Sequence, residues 1–311
     1  MASERLVIAT RQSKLALWQA NFISDRLREA HPGITVELLG MTTQGDKWLS
    51  APLAEVGGKG LFIKELEQAL LDERADIAVH SVKDVPALLP AEFVMPTIGF
   101  REDVRDALVS RSGAGLLELP AGARIGSSSL RRQAQLLMAR GDLVVAPIRG
   151  NVETRLRKLA EGEFDATVLA AAGLHRLGLG ARVTEYLDTD ICLPAAGQGA
   201  LGIECRAGDE RVLSLLEPLA DVQTFAAVTA ERTVSAALEA DCSAPLAAHA
   251  SHEGSAIRLR ALLAAPDGSR VLRASALAGD PRGVGAAVAE SLRSQGAVQL
   301  LGERSTPDEG S

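Results

Sequence analysis

LVIATRQSKLALWQANFISDRL, residues 6–27, opens on an apolar run and then changes its period. Leu6 to Thr10 places apolar and β-branched side chains in succession, the pattern of a short buried strand. Beyond the polar loop that follows, Leu15, Trp18, Phe22 and the stem of Arg26 recur at helical spacing, which predicts a helix with those residues on its apolar stripe. A strand, a loop and a helix in that order form the repeating unit of an α/β fold.

The alternation continues outward. Val36 to Met41 reads as a second strand, Leu61 to Asp72 as a helix with Phe62, Leu66, Ala69 and Leu70 on one face, and Ile77 to Val79 as a third strand. Between the second strand and that helix lies TTQGDKWLSAPLAEVGGKG, residues 42–60. Its Gly57, Gly58 and Gly60 permit unusual backbone angles, and with Lys59 they make a candidate active-site lid. A second block of similar order starts near Asp106. Ala107 to Ser110, Arg124 with Ile125, Leu143 to Pro147 and Ala166 to Ala170 read as strands, GSSSLRRQAQLL and Val152 to Glu161 as helices. A third block from about Asp221 begins helix-rich, then supplies AIRLRALLAA and SRVLRASALA around a PDGS turn, and closes on a helix from Gly283 to Arg293. The final STPDEGS has no apolar anchor and reads as a mobile tail.

At 311 residues the chain is long enough for two or three domains. Aromatic residues are only 3% of it against 47% hydrophobic, so Ala, Leu, Val and Ile must fill the interior. A net charge of −7 argues against a general nucleic-acid coat, and no stacking motif accompanies the basic segments. Cys192, Cys205 and Cys242 show no CxxC spacing, which favours a reducing compartment. No apolar stretch suits a bilayer span, so a soluble cytoplasmic protein without membrane partners is expected. His249 and His252 lack companions for a zinc site, and no metal is expected. Gly197 and Gly199 fall short of a dinucleotide fingerprint and suit a hinge or a packing contact.

The polar constellations are more specific. VHSVKDVP, residues 79–86, places His80, Ser81, Lys83 and Asp84 directly after an apolar strand, where open α/β sheets expose reactive loops. From Arg124 to Lys158 eight basic residues face only Asp142 and Glu153, a local reversal of the chain's overall sign. Within it, the serines of SSSLRR can cap a helix or donate hydroxyls, and the helix N-terminus favours an anion. Adjacent arginines leave an ideal helix in different directions, so Arg131 and Arg132 are expected to serve different groups.

Taken together, ATRQSKLAL (9–17), GGKGLFIKELE (57–67), VHSVKDVP (79–86), GSSSLRRQAQ (126–135), RGNVETRLRKL (149–159) and LPAAGQGALGIE (193–204) resemble the porphobilinogen deaminase, or hydroxymethylbilane synthase, family over nearly the whole chain. The resemblance implies two periplasmic-binding-protein-like, doubly wound α/β domains plus a smaller α+β C-terminal domain. The boundaries expected are 1–100 with 198–218, 101–197, and 219–302, with 303–311 as tail. It implies a monomeric transferase that condenses four porphobilinogen molecules head to tail, releasing ammonia at each addition and then hydroxymethylbilane, in tetrapyrrole biosynthesis. One dipyrromethane cofactor per chain would be held as a thioether on the cysteine matching Cys242 of LEADCSAPL. This chain has Asp241 where the family usually has Gly, and a neighbouring carboxylate makes a thiolate harder to form.

By the same resemblance Asp84 is the catalytic acid and base, assisting departure of the aminomethyl nitrogen and managing the α-proton. Cofactor and four units together carry about twelve carboxylates, which require converging cations. The positions implied are Arg11, Lys83, Arg131, Arg132, Arg149, Arg155 and Arg176, with Ser13, Ser81, Ser127, Ser128, Ser129 and Asn151 as polar partners. Arg140, Arg157 and Lys158 suit a solvated helix surface instead. Two alternatives of other classes remain from the residues alone. A binding module for a multivalent anion would lack the roles of Asp84 and Cys242, and a dinucleotide oxidoreductase would need the missing glycine signature.

Overall fold

The computed structural model describes residues 4–43, 63–241 and 243–302. The candidate lid Gly57, Gly58, Lys59 and Gly60, the attachment residue Cys242 and the tail lie outside the described residues.

Along the chain the elements are β1 (Arg5–Arg11), α1 (Lys14–Ala30), β2 (Thr35–Met41), α2 (Lys64–Leu71), β3 (Ile77–Ser81), β4 (Phe93–Gly99), β5 (Asp106–Ser110) and β6 (Arg124–Gly126). There follow α3 (Leu130–Ala139), β7 (Val144–Ala146), α4 (Val152–Ala160), β8 (Ala166–Ala170), α5 (Ala171–Arg176), β9 (Glu185–Leu187), β10 (Leu201–Arg206), α6 (Glu210–Leu216) and α7 (Val222–Ala237). The chain ends in β11 (Leu246–Glu253), β12 (Ala256–Ala264), β13 (Val271–Ala278), α8 (Pro281–Ser294) and α9 (Ala297–Gly302).

Three sheets organise these elements. The first runs β2-β1-β3-β10-β4 and the second β7-β6-β8-β5-β9. In each, three parallel strands are followed by one antiparallel strand, β10 or β5, next to the edge. Helices cover both faces. Ile23 and Leu27 of α1 pack with Val212 and Leu216 of α6 on one side of the first sheet, and Leu66 and Leu70 of α2 lie on the other. Around the second sheet, Leu136 of α3 occupies one side and Leu156 of α4 and Leu174 of α5 the other. The antiparallel sheet β11-β12-β13 packs against α7 and α8. These are the two doubly wound α/β units and the smaller α+β unit expected.

Three local differences have physical causes. The core stripe of α1 is Ala20, Ile23, Ser24 and Leu27. The expected stripe of Leu15, Trp18 and Phe22 is only half buried and faces sideways. Trp18 stacks on Phe22 at 5.2 Å, and Phe22 meets Phe100 edge-on at 5.1 Å. β4 contains Pro96, which argues against a central strand, and it lies at the sheet edge, where the missing N–H is tolerated. β11 is rich in Ala and His and has little strand propensity of its own; pairing along its whole length with β12 sets its conformation.

Two segments connect the α/β units, one between β4 and β5 and one between β9 and β10, and they are laced together. The Glu102 N–H donates to the Gly199 carbonyl at 3.1 Å, and the Arg101 Nε donates to the Gln198 carbonyl at 3.1 Å. Gly199 has φ +86°, and a β-carbon there would stand 2.4 Å from the Glu102 carbonyl oxygen. A β-carbon on Gly197, at φ +74°, would meet Val82 Cγ1 at 2.6 Å. Both glycines therefore serve close approach of the two crossovers and of the Asp84 turn.

Candidate active site

β3 delivers His80 and Ser81 to the end of the first sheet, and the turn Val82–Asp84 follows at once. Val82 is buried and anchors that turn, whereas the Asp84 carboxylate is exposed. Arg11, Ser13, Gln19, His80, Ser81 and Asp84 line one cleft. Ser13 caps α1 by accepting from the Ala16 N–H, and the Ser81 hydroxyl accepts from Gln19 Nε2 at 2.8 Å. Behind Ser81, His80 Nε2 lies 2.8 Å from Glu204 Oε2 in a fully buried pair. A larger depression, about 470 Å³, sits at the opposite end of β10. Its Arg206 and Arg211 are paired with Asp209 and Asp76, so size there does not mark free chemistry.

The second sheet supplies the cations. Ser129 caps α3, the Ser127 hydroxyl accepts from the Ser129 N–H, and Ser128 exchanges hydrogen bonds with the Ile148 backbone. Arg131 and Arg132 do not diverge as expected. Both turn onto Asp106 at the start of β5: Arg131 Nη2 lies 2.7 Å from Oδ2, and Arg132 donates Nε and Nη2 to Oδ1 at 3.0 and 2.7 Å. Long side chains overcome the angular offset of neighbouring helix positions when one buried carboxylate offers two oxygens. A further nitrogen of each donates to a protein carbonyl, Arg131 Nη1 to Leu193 and Arg132 Nη1 to Val168. Burial alone would push Asp106 up, but Arg131 and Arg132 outweigh it and hold the carboxyl well below the usual range.

Arg176, at the end of α5, is also engaged: it donates to the Gly199 carbonyl at 2.6 Å and lies over Trp18 at 5.7 Å. Burial pushes its guanidinium down to about 10. Arg149 and Arg155 differ. Asn151 caps α4 through the Thr154 N–H, which fixes the helix that carries Arg155. Arg155 donates Nε to the Gly150 carbonyl at 2.8 Å, leaving both terminal nitrogens without a partner among the described residues, as is the whole Arg149 head group. Burial, with Arg132 and Arg149 adding like charge, lowers Arg155 to about 10, while Asp84 across the cleft raises it. Lys83 is half buried and donates to Gln198 Oε1 at 3.2 Å. Burial and the charge of Arg132 push it down to about 8. Arg157 pairs with Glu161 on a helix surface as expected, but Arg140 does not: mostly covered just past α3, it pairs with Asp142 and donates to the Leu116, Leu117 and Leu119 carbonyls.

Asp106, Gln198 and Cys192 were not anticipated as part of this cluster. Asp106 stands at a strand start like many turn residues, and only its register beside Ala170 reveals what it faces.

Two family models cover most of the chain. Porphobilinogen deaminase, dipyromethane cofactor binding domain, matches residues 6–214, and porphobilinogen deaminase, C-terminal domain, matches residues 225–294. The chain belongs to the porphobilinogen deaminase family. It is 55% identical to the porphobilinogen deaminase of Thiobacillus denitrificans over 298 residues, covering 95% of this chain and 97% of that protein. Identity is 52% with the Syntrophotalea carbinolica protein of that name, covering 97% and 96%, and 58% with that of Sorangium cellulosum, covering 86% and 90%. Solved structures similar to this family member include a ligand-binding component of an ABC-type import system from Staphylococcus aureus, 13% identical with a TM-score of 0.40 over 75% of this chain and 73% of that one. A TRAP periplasmic solute binding protein from Desulfovibrio salexigens is 12% identical, with a TM-score of 0.41 over 70% and 73%.

Proposed function

We propose that this chain joins four porphobilinogen molecules head to tail into hydroxymethylbilane on a dipyrromethane held at Cys242, with Asp84 as the catalytic residue. The observation that carries the reading is an exposed carboxylate, Asp84, whose charge is felt across the cleft by Arg155, itself beside Arg149; the terminal nitrogens of both arginines have no protein partner among the described residues. Membership of the family supports the reaction itself.

The donor set fits a dipyrromethane. Its acetate and propionate groups need charge-assisted hydrogen bonds, and Arg149, Arg155, Lys83 and Arg11 present cations on both walls of the cleft. Arg131 and Arg132, held by Asp106 and backbone carbonyls, act on carboxylates through the field they create, while Arg176 commits only Nη2 and keeps Nε and Nη1 without a partner among the described residues. Ser13, Ser81, Ser127, Ser128, Ser129 and Asn151 shape the loops that carry these cations. When bound, the dipyrromethane supplies the carbon on which the chain is extended. Asp84 then serves in two protonation states. As an acid it protonates the departing aminomethyl nitrogen, so that the C–N bond breaks with its electrons leaving on ammonia. As a carboxylate it takes up the α-proton released when the new C–C bond forms. Gly57, Gly58, Lys59 and Gly60 are read as the lid that excludes water from these steps.

Asp241 bears on attachment at Cys242. Its Oδ1 accepts from the Ser243 N–H at 2.9 Å and from the Ser243 hydroxyl at 2.6 Å, so the carboxylate is tied into a local turn. The reading divides the chain into 1–100 with 198–218, 101–197, 219–302 and a tail. It also makes the protein a monomer of the cytoplasm, and the free, buried Cys192 and Cys205 are in keeping with a reducing compartment. Among the described residues no single helix is long and apolar enough to cross a membrane.

The test is intact and peptide-mapped mass spectrometry alongside ammonia release. The reading requires a two-pyrrole adduct on Cys242, and Asp84→Ala should remain folded and lose about 10²- to 10⁴-fold in turnover. Near-normal turnover of a loaded Asp84→Ala protein, or a fully reconstituted sample with neither adduct nor ammonia release, would overturn it.

A further inference from the structure

The crossover that returns the chain to the first sheet carries Gln198, which is wholly buried. Its side-chain Oε1 accepts from Lys83 Nζ at 3.2 Å, and its Nε2 donates to the Val104 carbonyl at 2.7 Å and to Asp106 Oδ1 at 3.0 Å. The orientation of the amide is forced by its partners. An ammonium can only donate, and a carbonyl and a carboxylate can only accept, so a flipped amide would oppose all three. The partners also lie on opposite walls. Lys83 follows β3 of the first sheet, whereas Asp106 opens β5 of the second and neutralises Arg131 and Arg132.

We propose that Gln198 is a positioning residue, a planar strut that fixes Lys83 in the cleft against the Asp106 cluster and makes its charge depend on how the two walls are set. The proposal deepens the functional reading, because it rests on Lys83 acting in that site. A rigid amide held at one end by a carboxylate and a carbonyl has no freedom to follow Lys83. If the walls separate, the lysine loses its acceptor while Gln198 stays with the second sheet. The charged groups facing Lys83 are Asp84 on its own turn, Arg131 and Arg132 from α3, and Asp106 from β5. Burial and Arg132 favour the neutral amine, while Asp84 and Asp106 oppose them. An ammonium so poised is sensitive to a single lost hydrogen bond.

The test is trace acetylation of the cofactor-loaded protein as a function of pH, with the Lys83 peptide quantified by mass spectrometry and Lys158 as internal reference. In the parent protein, burial and Arg132 lower Lys83 while Asp84, Asp106 and the cofactor's carboxylates raise it, and the midpoint this balance sets is the reference for the variant. In Gln198→Leu the ammonium loses its acceptor, and the midpoint should fall by about half to one pH unit, about three- to tenfold more free amine at fixed pH. Lys158 should stay where it is. Should Gln198→Leu fail to fold, Gln198→Asn keeps the amide but withdraws it by one methylene, and the same downward shift is expected. A folded variant in which Lys83 does not move, or moves together with Lys158, overturns the proposal. The KM for porphobilinogen separates the two readings. A shifted midpoint in Gln198→Leu beside an unchanged KM in Lys83→Gln supports the strut and removes Lys83 as a carboxylate binder; an unchanged midpoint beside a raised KM in Lys83→Gln does the reverse.

Discussion

Replacing Asp106 with Asn removes one negative charge from a site where it answers two buried guanidinium groups. Oδ1 accepts from Arg132 Nε and Nη2 and from Gln198 Nε2; Oδ2 accepts from Arg131 Nη2 and, at 3.3 Å, from the Cys192 thiol. Asn keeps one acceptor oxygen and turns an N–H₂ toward an arginine. Arg131 and Arg132 are 4% and 6% exposed, so water cannot replace the lost charge. Breaking a buried ion pair from one side costs about 3–5 kcal/mol, and two orphaned cations place this case toward the upper end. The pH dependence has a definite sign. Because the folded-state pKa is depressed, the Asp106 contribution is complete above the unfolded value of about 3.9 and drains as pH falls below it. Urea unfolding followed by circular dichroism should therefore show a gap of about 3–5 kcal/mol between parent and Asp106→Asn that is flat from about pH 5 to about pH 8 and narrows below about pH 4. A gap under about 1 kcal/mol at neutral pH, or one that stays constant down to about pH 3, refutes the reasoning.

Arg149→Met should change stability by less than about 0.5 kcal/mol, since Arg149 holds no protein partner among the described residues, while raising the KM for porphobilinogen about tenfold or more; a normal KM in steady-state assays would exclude it from carboxylate binding. Gly199→Ala forces a β-carbon against the Glu102 carbonyl at a positive φ, and should cost at least about 2 kcal/mol in urea unfolding, a result that an unchanged midpoint would contradict. His249 is pushed down to about 4 by burial and by Arg101 and Arg260. Its neutral form is the folded one, so stability should fall as pH drops from about 6.5 toward 4, by up to about 3 kcal/mol in all; His249→Gln should flatten that slope, and a slope equal to the parent's would deny the half-buried histidine its part.

What the sequence made legible follows from how local each signal is. The α/β alternation and the Asp84 turn rest on neighbouring residues, and the strands and helices that carry them form where the periodicity placed them. The stripe of α1 was misjudged because Leu15, Trp18 and Phe22 are larger than Ala20 and Ser24, which have the true core positions. Size marks burial poorly when aromatic residues serve a contact between units. Arg131, Arg132 and Arg176 were grouped with Arg149 and Arg155 by residue type and motif. What separates them is whether a buried acceptor lies within reach, and Asp106 and Gly199 are distant in sequence from the arginines they hold. Gln198 sits between two glycines whose signal concerns the backbone, whereas what binds across the cleft is its side-chain amide, to partners more than ninety residues away.

The strand order also dictates a schedule for synthesis. β10, residues 201–206, inserts between β3 and β4, so the first sheet cannot be completed until the whole of the second has been made. Strands β5 to β9 form an uninterrupted stretch and can close their sheet as they leave the ribosome. The part of the protein that emerges first is thus the one that must wait. Until Leu201 arrives, β3 and β4 present open edges to the cell, and a chain truncated shortly before that residue would carry a finished second unit tethered to an unfinished first.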